Sequence, residues 1–181
     1  MVVVFLANGF EEIEALATVD ILRRAGLAVC TVGIGGHTIT GAHGIVVHTD
    51  VADDETLPIL SELQAVVLPG GLPGTTNLAA STTVTEYVMD ASRSDVLVAA
   101  ICAAPSILGG LGLLRGKCAT CYPGYEDTLM GATVCNDSVV SDGGCITARG
   151  AGVTTDFALA IVSQLISPVK AREIGDAMQC R

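Results

Sequence analysis

One cysteine, Cys102, stands where the stretch VLVAAICAAPSIL passes from an apolar run into a helical pattern. Pro105 fits the first turn of that helix because the N–H group that proline lacks would be unpaired there. A thiol at such a turn matches the nucleophile elbow, with small alanines replacing the usual glycines. The helix amides would stabilise a thiolate, so we expect a lowered pKa for Cys102. The alternative is a buried cysteine that packs as a small hydrophobe.

A glycine pair could assist that thiol. The run VVLPGGLPG ends an apolar strand in Gly70 and Gly71, and glycines there leave backbone N–H groups free to approach a ligand. Together with the amide of Ala103, these two glycines could form an oxyanion hole. The alternative is an ordinary Pro-Gly-Gly turn without a role in binding.

Three acids open the first predicted helix, in the stretch NGFEEIEALATVD. For Glu11 and Glu12 we favour a solvated helix start that complements the helix dipole. Glu14 differs because it shares a helix face with apolar Ala17 and Ile21. A carboxyl facing inward there would be partly desolvated, so we expect it to keep its proton and to have a raised pKa.

The pattern of apolar residues predicts the elements that position these groups. Short β-branched runs indicate buried strands, and apolar residues at helical spacing indicate helices between them. This alternation favours one doubly wound α/β domain over 1–181, with right-handed crossovers, a small antiparallel excursion at 36–50 and ligands beyond the strands' carboxyl ends. The predicted strands are 2–7, 27–34, 65–71, 96–102, 131–136 and 143–148, and the main predicted helices are 11–26, 82–94 and 154–166.

Length and composition restrict the fold and its partners. The chain has 181 residues, of which half are hydrophobic and only 3% aromatic, so we expect one core built from aliphatic side chains. The formal charge of −10 argues against nucleic acid as a ligand. No apolar run approaches the ~20 residues that span a bilayer, so we expect no membrane helix. Without a basic start and a long apolar middle, the first residues predict a cytoplasmic protein.

Seven cysteines are scattered along the chain, which argues against a secreted disulfide framework. Cys118 and Cys121 form a C-x-x-C pair that is either redox-active, half of a zinc site, or two small apolar residues of a strand. Because no second pair has matching spacing and no His follows position 48, we favour the strand and expect no metal. We assign no role to the other cysteines outside the elbow, at 30, 135, 145 and 180.

The chain resembles the ThiJ/PfpI superfamily, in the DJ-one branch of parkinsonism-associated deglycases, through the stretches EEIEA, LPGG, AAICAAP, VDILRRAG and TARGAGVTTDFALAIV. The resemblance covers essentially the whole chain. It implies a flavodoxin-like three-layer α/β sandwich that is usually a homodimer, with an interface near Arg23 and Arg24. It also implies a nucleophilic, oxidation-sensitive Cys102, a protonated Glu14 hydrogen-bonded to it, and backbone donors near the thiol.

The resemblance also implies a function. It points to a glyoxalase that needs no glutathione, or a deglycase of methylglyoxal adducts on proteins, with no cofactor and a role in oxidative stress. The alternative is a redox sensor or redox-regulated chaperone whose Cys102 becomes a sulfinate. Peptide hydrolysis would need a His base, and this chain has Tyr122 where the parkinsonism-associated member carries His before Pro. His43 either reaches the pocket across a dimer interface or lies on the surface of a hairpin.

Overall fold

The structure, a computed structural model, describes residues 1–180 as a mostly parallel sheet with helices on both faces. The strands are β1 (Val2–Leu6), β2 (Val29–Gly33), β3 (Thr38–Thr40), β4 (Val46–His48), β5 (Val51–Ala52), β6 (Ala65–Leu68), β7 (Leu97–Ile101), β8 (Cys118–Ala119), β9 (Thr133–Val134), β10 (Val139–Asp142) and β11 (Cys145–Ala148). The helices are α1 (Glu12–Arg24), α2 (Gly74–Ala80), α3 (Thr82–Arg93), α4 (Pro105–Gly110), α5 (Thr154–Leu165) and α6 (Pro168–Ala177).

The central sheet has the strand order β10-β11-β7-β6-β1-β2-β5, and only β10 runs antiparallel to its neighbour. Counted along the chain, the parallel strands β2, β1, β6, β7 and β11 follow the order 2-1-3-4-5 of flavodoxin. This topology confirms the predicted single-domain α/β sandwich with a mostly parallel central sheet. The antiparallel excursion expected at 36–50 is present as the β3–β4 pair.

The topology brings the predicted site residues to one edge of the sheet. Strands β1, β6 and β7 are neighbours and run in the same direction, so their carboxyl ends lie side by side. The strand order reverses between β1 and β6, which is where ligands bind in sheets of this kind. Gly70 follows β6, Cys102 follows β7 and Glu14 lies in the first turn of α1, so all three face this crevice.

The core is built from aliphatic side chains on both faces of the sheet, as the composition predicts. All residues of β1, β6 and β7 are buried, as expected for β-branched and small residues in central parallel strands. One face packs against α1, α5 and α6, and the other against α3 and α4. Of the helices within residues 1–180, none combines the length and the hydropathy needed to cross a membrane.

Several elements differ from the sequence-based expectations. The run 131–136 is not a strand of the main sheet, because only Thr133–Val134 pairs, in parallel, with β8. The helix after Cys102 is shorter than its apolar pattern suggests, since α4 ends at Gly110. Strand β10 and helices α2 and α6 were not predicted. For α6 a signal was available, because the Ser167 hydroxyl caps the helix and Pro168 follows in its first turn.

Candidate active site

Cys102 lies in a sharp turn between β7 and α4. Its backbone has φ of +65°, a left-handed conformation that residues other than glycine rarely adopt. The turn is held from both sides, since the Cys102 N–H donates to the Ala148 carbonyl and the Cys102 carbonyl accepts from the Tyr122 N–H, each at 2.8 Å. The strand-to-helix turn predicted for this cysteine is therefore present, and its thiol is half-buried.

Glu14 projects from the first turn of α1 into the crevice and is only 1% exposed. Its Oε2 accepts a hydrogen bond of 2.8 Å from the Gly70 N–H. Its Oε1 is buried and has no hydrogen bond within 3.5 Å to any nitrogen or oxygen of the described residues. The carboxyl interacts with the Cys102 thiol. Burial raises the pKa of Glu14 to about 7, although the Gly70 N–H and the thiol act against this rise. The raised pKa that the sequence predicts for Glu14 is therefore present.

The lowered pKa that the sequence predicts for Cys102 is wrong. Burial of the sulfur, followed by the negative charge of Glu14, raises the pKa of the thiol to about 12. The N–H groups of Ala103 and Gly71 donate to the sulfur and act in the opposite direction. Helix α4 has only six residues, so its N-terminus compensates little for the desolvation. The sequence indicated the turn but not how deeply the sulfur lies in it.

Cys102 and Glu14 titrate as a pair, because the charge of each group opposes ionisation of the other. The first proton leaves this pair near pH 7, the pKa of the Glu14 carboxyl, and the second only near 12. Between those values the pair holds one proton, mainly on the Cys102 sulfur, whose pKa is the higher, and Glu14 is the carboxylate that can accept it. A neutral-pH site with one proton on two groups can both release and accept a proton during a reaction.

Gly70 has a different role from the oxyanion donor that the sequence predicts. Its N–H is already bonded to Glu14, so the amides that face the thiol are those of Gly71 and Ala103. A Cβ atom on Gly70 would lie 2.6 Å from Cβ of Cys102 and 2.7 Å from Oε2 of Glu14. Gly70 therefore positions Glu14 against the thiol, and only glycine leaves room for both.

Tyr122 lies beside the thiol at the mouth of the site. A Cβ atom on Gly150 would lie 3.3 Å from the Tyr122 ring and 4.0 Å from the Cys102 sulfur, so both groups flank the same glycine. An open cavity of about 380 Å³ continues from this point, between Tyr122, Arg149 and Val153. Half of the tyrosine surface is exposed, so the ring forms one wall of an accessible pocket.

His43 is held by the start of α1 within the same chain. Its ring Nδ1 lies 2.8 Å from Oε2 of Glu12 and 3.5 Å from Oε2 of Glu11. The backbone N–H of His43 donates to Oε1 of Glu12. The hydrogen bond to Glu12 raises the pKa of the imidazole. Glu12 is buried, so the solvated helix start predicted for this residue is wrong. The predicted reach of His43 across a dimer interface stays a prediction.

One group of side chains within residues 1–180 has ligand atoms close enough together to hold a metal ion. It consists of Glu11, Glu12 and His43, whose ligand atoms lie within 4.8 Å of one another. Glu12 already accepts hydrogen bonds from the His43 ring and from the backbone N–H groups of His43 and Ile45. These bonds explain the burial of Glu12 without a metal. The group serves to fasten the β3–β4 hairpin to α1.

Comparison with known proteins places this chain in one family. Residues 1–164 match the model of the DJ-1/PfpI family. The Parkinson disease protein 7 homolog of Danio rerio is 36% identical over 94% of this chain and 92% of its own length. The glutathione-independent glyoxalase DJR-1.2 of Caenorhabditis elegans is 32% identical over 91% of this chain and 87% of its own length.

Solved structures agree with this assignment. The crystal structure of a DJ-1 superfamily protein from Salmonella typhimurium superposes with a TM-score of 0.92 at 33% identity, and the match covers 99% of this chain and 98% of that one. The resemblance noted in the sequence is therefore confirmed over the whole length of the fold. The chain belongs to the DJ-1/PfpI family.

Proposed function

We propose that this chain is a cysteine-dependent glyoxalase that converts methylglyoxal to lactate without glutathione, and that it also acts on methylglyoxal adducts of proteins. The observation that carries this proposal is the contact between the buried Glu14 carboxyl, whose pKa burial raises to about 7, and the Cys102 thiol. A nucleophile and a proton acceptor in direct contact are what attack on an aldehyde requires. The Caenorhabditis elegans relative, which bears the name of such a glyoxalase, supports the same activity.

The first step is addition of the sulfur to the aldehyde carbon of methylglyoxal. As the bond between sulfur and carbon forms, the thiol proton passes from Cys102 to the Glu14 carboxylate, and the carbonyl electron pair moves onto oxygen. The N–H groups of Gly71 and Ala103, which face the sulfur, stabilise the resulting oxyanion. Glu14 then gives that proton to the oxyanion, which yields a hemithioacetal and leaves Glu14 as the carboxylate.

The second step moves hydrogen between the two substrate carbons. Glu14, as carboxylate, removes the proton from the former aldehyde carbon to form an enediolate and then returns it to the neighbouring carbon, while the hydroxyl proton on the aldehyde carbon passes to the former ketone oxygen. The aldehyde carbon is thereby oxidised and the ketone carbon reduced, so no external electron acceptor is needed. The product is a thioester of lactate on Cys102, which water hydrolyses to lactate and free thiol. A carboxyl with a pKa near 7 suits both directions of proton transfer.

The activity is tested by measuring lactate formed from methylglyoxal in the absence of glutathione. We expect turnover by the wild type, and only the uncatalysed background with Cys102→Ser. The matched control is Cys180→Ser, because Cys180 is exposed near the end of the chain and bonds by its N–H to Gly175 rather than to the site. Lactate formation that survives Cys102→Ser would exclude the proposed mechanism.

A redox sensor is the second candidate function, favoured by the half-buried position of the Cys102 sulfur beside an open cavity. A protonated Glu14 and the amides of Gly71 and Ala103 would donate hydrogen bonds to the oxygens of a sulfinate. Under this hypothesis, mild peroxide adds two oxygen atoms to Cys102 and alters binding of a protein partner. Mass spectrometry that finds no oxygen on Cys102 after this treatment would exclude the sensor function.

We further propose that the chain forms a homodimer through α1 and the β3–β4 hairpin. Four large apolar side chains of these two elements are exposed in the single chain: Ile13 (57%), Leu16 (38%), Ile45 (52%) and Val46 (60%). The contact between Glu12 and His43 joins the two elements into one surface. A second copy of the chain is the occupant that would bury the same apolar groups on both sides. The ion pair between Asp20 and Arg24 lies on the same helix.

A further inference from the structure

The C-x-x-C pair, Cys118 and Cys121, is divided by the fold. Cys118 is exposed in β8, whereas Cys121 is buried beyond the end of that strand. The side chain that interacts with the Cys118 thiol is instead that of Cys135, which follows β9. The interpretation of Cys118 and Cys121 as two apolar residues of one strand is therefore wrong, and the strand partner of Cys118 lies on another segment.

The register of β8 and β9 explains why Cys118 and Cys135 meet. Cys118 pairs with Thr133 in the parallel ladder, and the Cys135 N–H extends this ladder by donating to the Ala119 carbonyl at 2.8 Å. Because side chains alternate along a strand, Cys118, Thr133 and Cys135 project from the same face. The Cys135 sulfur lies 3.5 Å from the Thr133 carbonyl oxygen, so it is turned back along β9 towards Cys118.

The pKa of Cys118 is consistent with this contact. The hydrogen bond to Cys135, and then the charge of Cys135, raise the pKa of Cys118, and the carboxylates of Asp142 and Asp137 act in the same direction. Cys118 is exposed and Cys135 is half-buried, so an oxidant in solution reaches Cys118 first. The Cys135 thiol is already in place to react with an oxidised Cys118.

We propose that Cys118 and Cys135 are a redox-active pair that closes a reversible disulfide on reaction with hydrogen peroxide. The Cys118 sulfur attacks one peroxide oxygen, the bond between the two oxygens breaks, and the displaced oxygen leaves as water with the thiol proton. The Cys135 sulfur then attacks the sulfenic acid, forming the disulfide and releasing a second water that takes the Cys135 proton. Two thiols thus supply the two electrons that reduce one peroxide to two waters.

The geometry predicts that this disulfide is easily reduced again. Parallel strands lie about 4.8 Å apart and rise about 3.3 Å per residue, so Cα atoms two residues apart on the diagonal are roughly 8 Å apart. A disulfide spans about 4.4–6.8 Å, so Cys135 must shift by roughly 1 Å to close the bridge. Strand β9 can make this shift, since it has only two residues and both are exposed. A bridge closed with strain has a higher reduction potential and is reduced readily by small thiols.

The disulfide would restrain the segment that carries one wall of the active site. Residues 119–134, between the two cysteines, include Tyr122, whose N–H donates to the Cys102 carbonyl. The two ends of this segment are paired by the short β8–β9 ladder, and the Gly116 N–H donates to the Gly131 carbonyl beside it. A covalent bridge at that base would slow opening of the segment, because local unfolding would no longer separate the two strands.

The test uses the Cys102→Ser background, so that oxidation of the proposed nucleophile does not obscure the result. The protein is treated with hydrogen peroxide and digested without reductant after Glu126, which separates Cys118 and Cys121 from Cys135. We expect a cross-linked peptide lighter by two hydrogens than its parts, released by dithiothreitol, lost in Cys118→Ser and in Cys135→Ser, and retained in the matched control Cys121→Ala. A cross-link that persists in Cys118→Ser, or oxygen adducts without a cross-link, would overturn the proposal.

The restraint is measured separately by amide hydrogen exchange on the same oxidised and reduced samples. We expect exchange in residues 119–134 to slow by at least about tenfold on oxidation and to return after reduction. Unchanged exchange in that segment, with the cross-link present, would refute the proposed effect on the active-site wall. Neither measurement depends on lactate formation, so both stand apart from the proposed glyoxalase activity.

Discussion

The Gly70 N–H lies 2.8 Å from Oε2 of Glu14, so the turn after one strand fixes a carboxyl that belongs to the first helix. A second consequence follows from the missing side chain of Gly70, since Glu14 and Cys102 both occupy the space that a Cβ would fill. This one glycine therefore sets the distance between the Cys102 thiol and the Glu14 carboxyl. We therefore expect both the reactivity of the thiol and the stability of the site to depend on Gly70.

Replacing Gly70 by alanine should lower both the free energy of unfolding and the rate of lactate formation. The new Cβ would lie 2.6 Å from Cβ of Cys102, so the elbow or the Glu14 side chain must move. We expect a loss of about 1–3 kcal/mol in the free energy of unfolding, the usual range for overpacking. The rate of lactate formation should fall by more than the increased fraction of unfolded protein would explain. Urea unfolding and the lactate assay on the same samples check both expectations.

Gly110→Ala is the matched control, because a Cβ on this helical glycine would meet no atom within 4 Å. We expect this variant to keep its activity and to gain up to about 0.5–1 kcal/mol from the better helix propensity of alanine. Equal losses in the Gly70 and Gly110 variants would show that the close contacts at Gly70 have no special effect.

The rate of lactate formation should rise with pH through about 7, where the shared pair loses its first proton. Below that value both groups are protonated and no base is available for the thiol. Glu14→Gln removes the acceptor and should lower kcat/KM by about 100-fold or more. It should also abolish the inflection near pH 7. A wild-type profile without that inflection would contradict this assignment of the proton acceptor.

Stability should depend on pH through the same carboxyl. Folding raises the pKa of Glu14 from 4.5 to about 7, so the folded state holds this proton more tightly than the unfolded state. The resulting stabilisation, roughly 3 kcal/mol, is fully present below the unfolded pKa and is lost as pH rises through the folded pKa. As pH rises from 5 to 8, the free energy of unfolding of the wild type should therefore fall relative to that of Glu14→Gln.

Urea unfolding at those two pH values measures this difference. The matched control is Glu86→Gln, which removes an exposed carboxyl of α3. The free energy of unfolding of Glu86→Gln should change between pH 5 and pH 8 by the same amount as that of the wild type. If Glu14→Gln follows the wild type as closely as the control does, the carboxyl does not carry the proposed shift.

The proposed dimer gives a prediction about assembly. Ile13→Asp places a charge in the centre of the exposed apolar surface of α1, so we expect the variant to sediment as a monomer at concentrations where the wild type is a dimer. The control is Ile59→Asp, which alters an equally exposed isoleucine, 58% accessible, outside α1 and the hairpin. Monomeric wild type, or dissociation by both variants, would refute the interface.

The sequence predicted the elements better than it predicted the contacts between them. Local pattern was enough to predict the turn at Cys102, because an apolar strand, small residues and Pro105 all occur within a few positions. The inward orientation of Glu14 followed from helical spacing in the same way. The pKa of Cys102 was predicted with the wrong sign, because burial of the sulfur and the charge near it depend on residues distant in sequence, such as Glu14 and Gly150.

Contacts between distant segments account for the other errors. Gly70 was expected to bind substrate, but its N–H is bonded to a carboxyl 56 residues away in the sequence. Glu12 was expected to be solvated, but the hairpin loop at His43 covers it. Cys118 was paired with Cys121 because they are close in sequence, whereas the ladder brings it to Cys135. Spacing along one segment contains no information on any of these three contacts.

The most direct test of the shared proton is the alkylation rate of Cys102 by iodoacetamide as a function of pH. The tryptic peptide 94–115 contains no other cysteine, so mass spectrometry isolates this thiol. In the wild type the rate should rise through about pH 7 and then stay level to about pH 10, since the fraction of thiolate within the singly protonated pair is constant there. A rate that rises only above about pH 9, equally in the wild type and in Glu14→Gln, would contradict the coupling of the two groups.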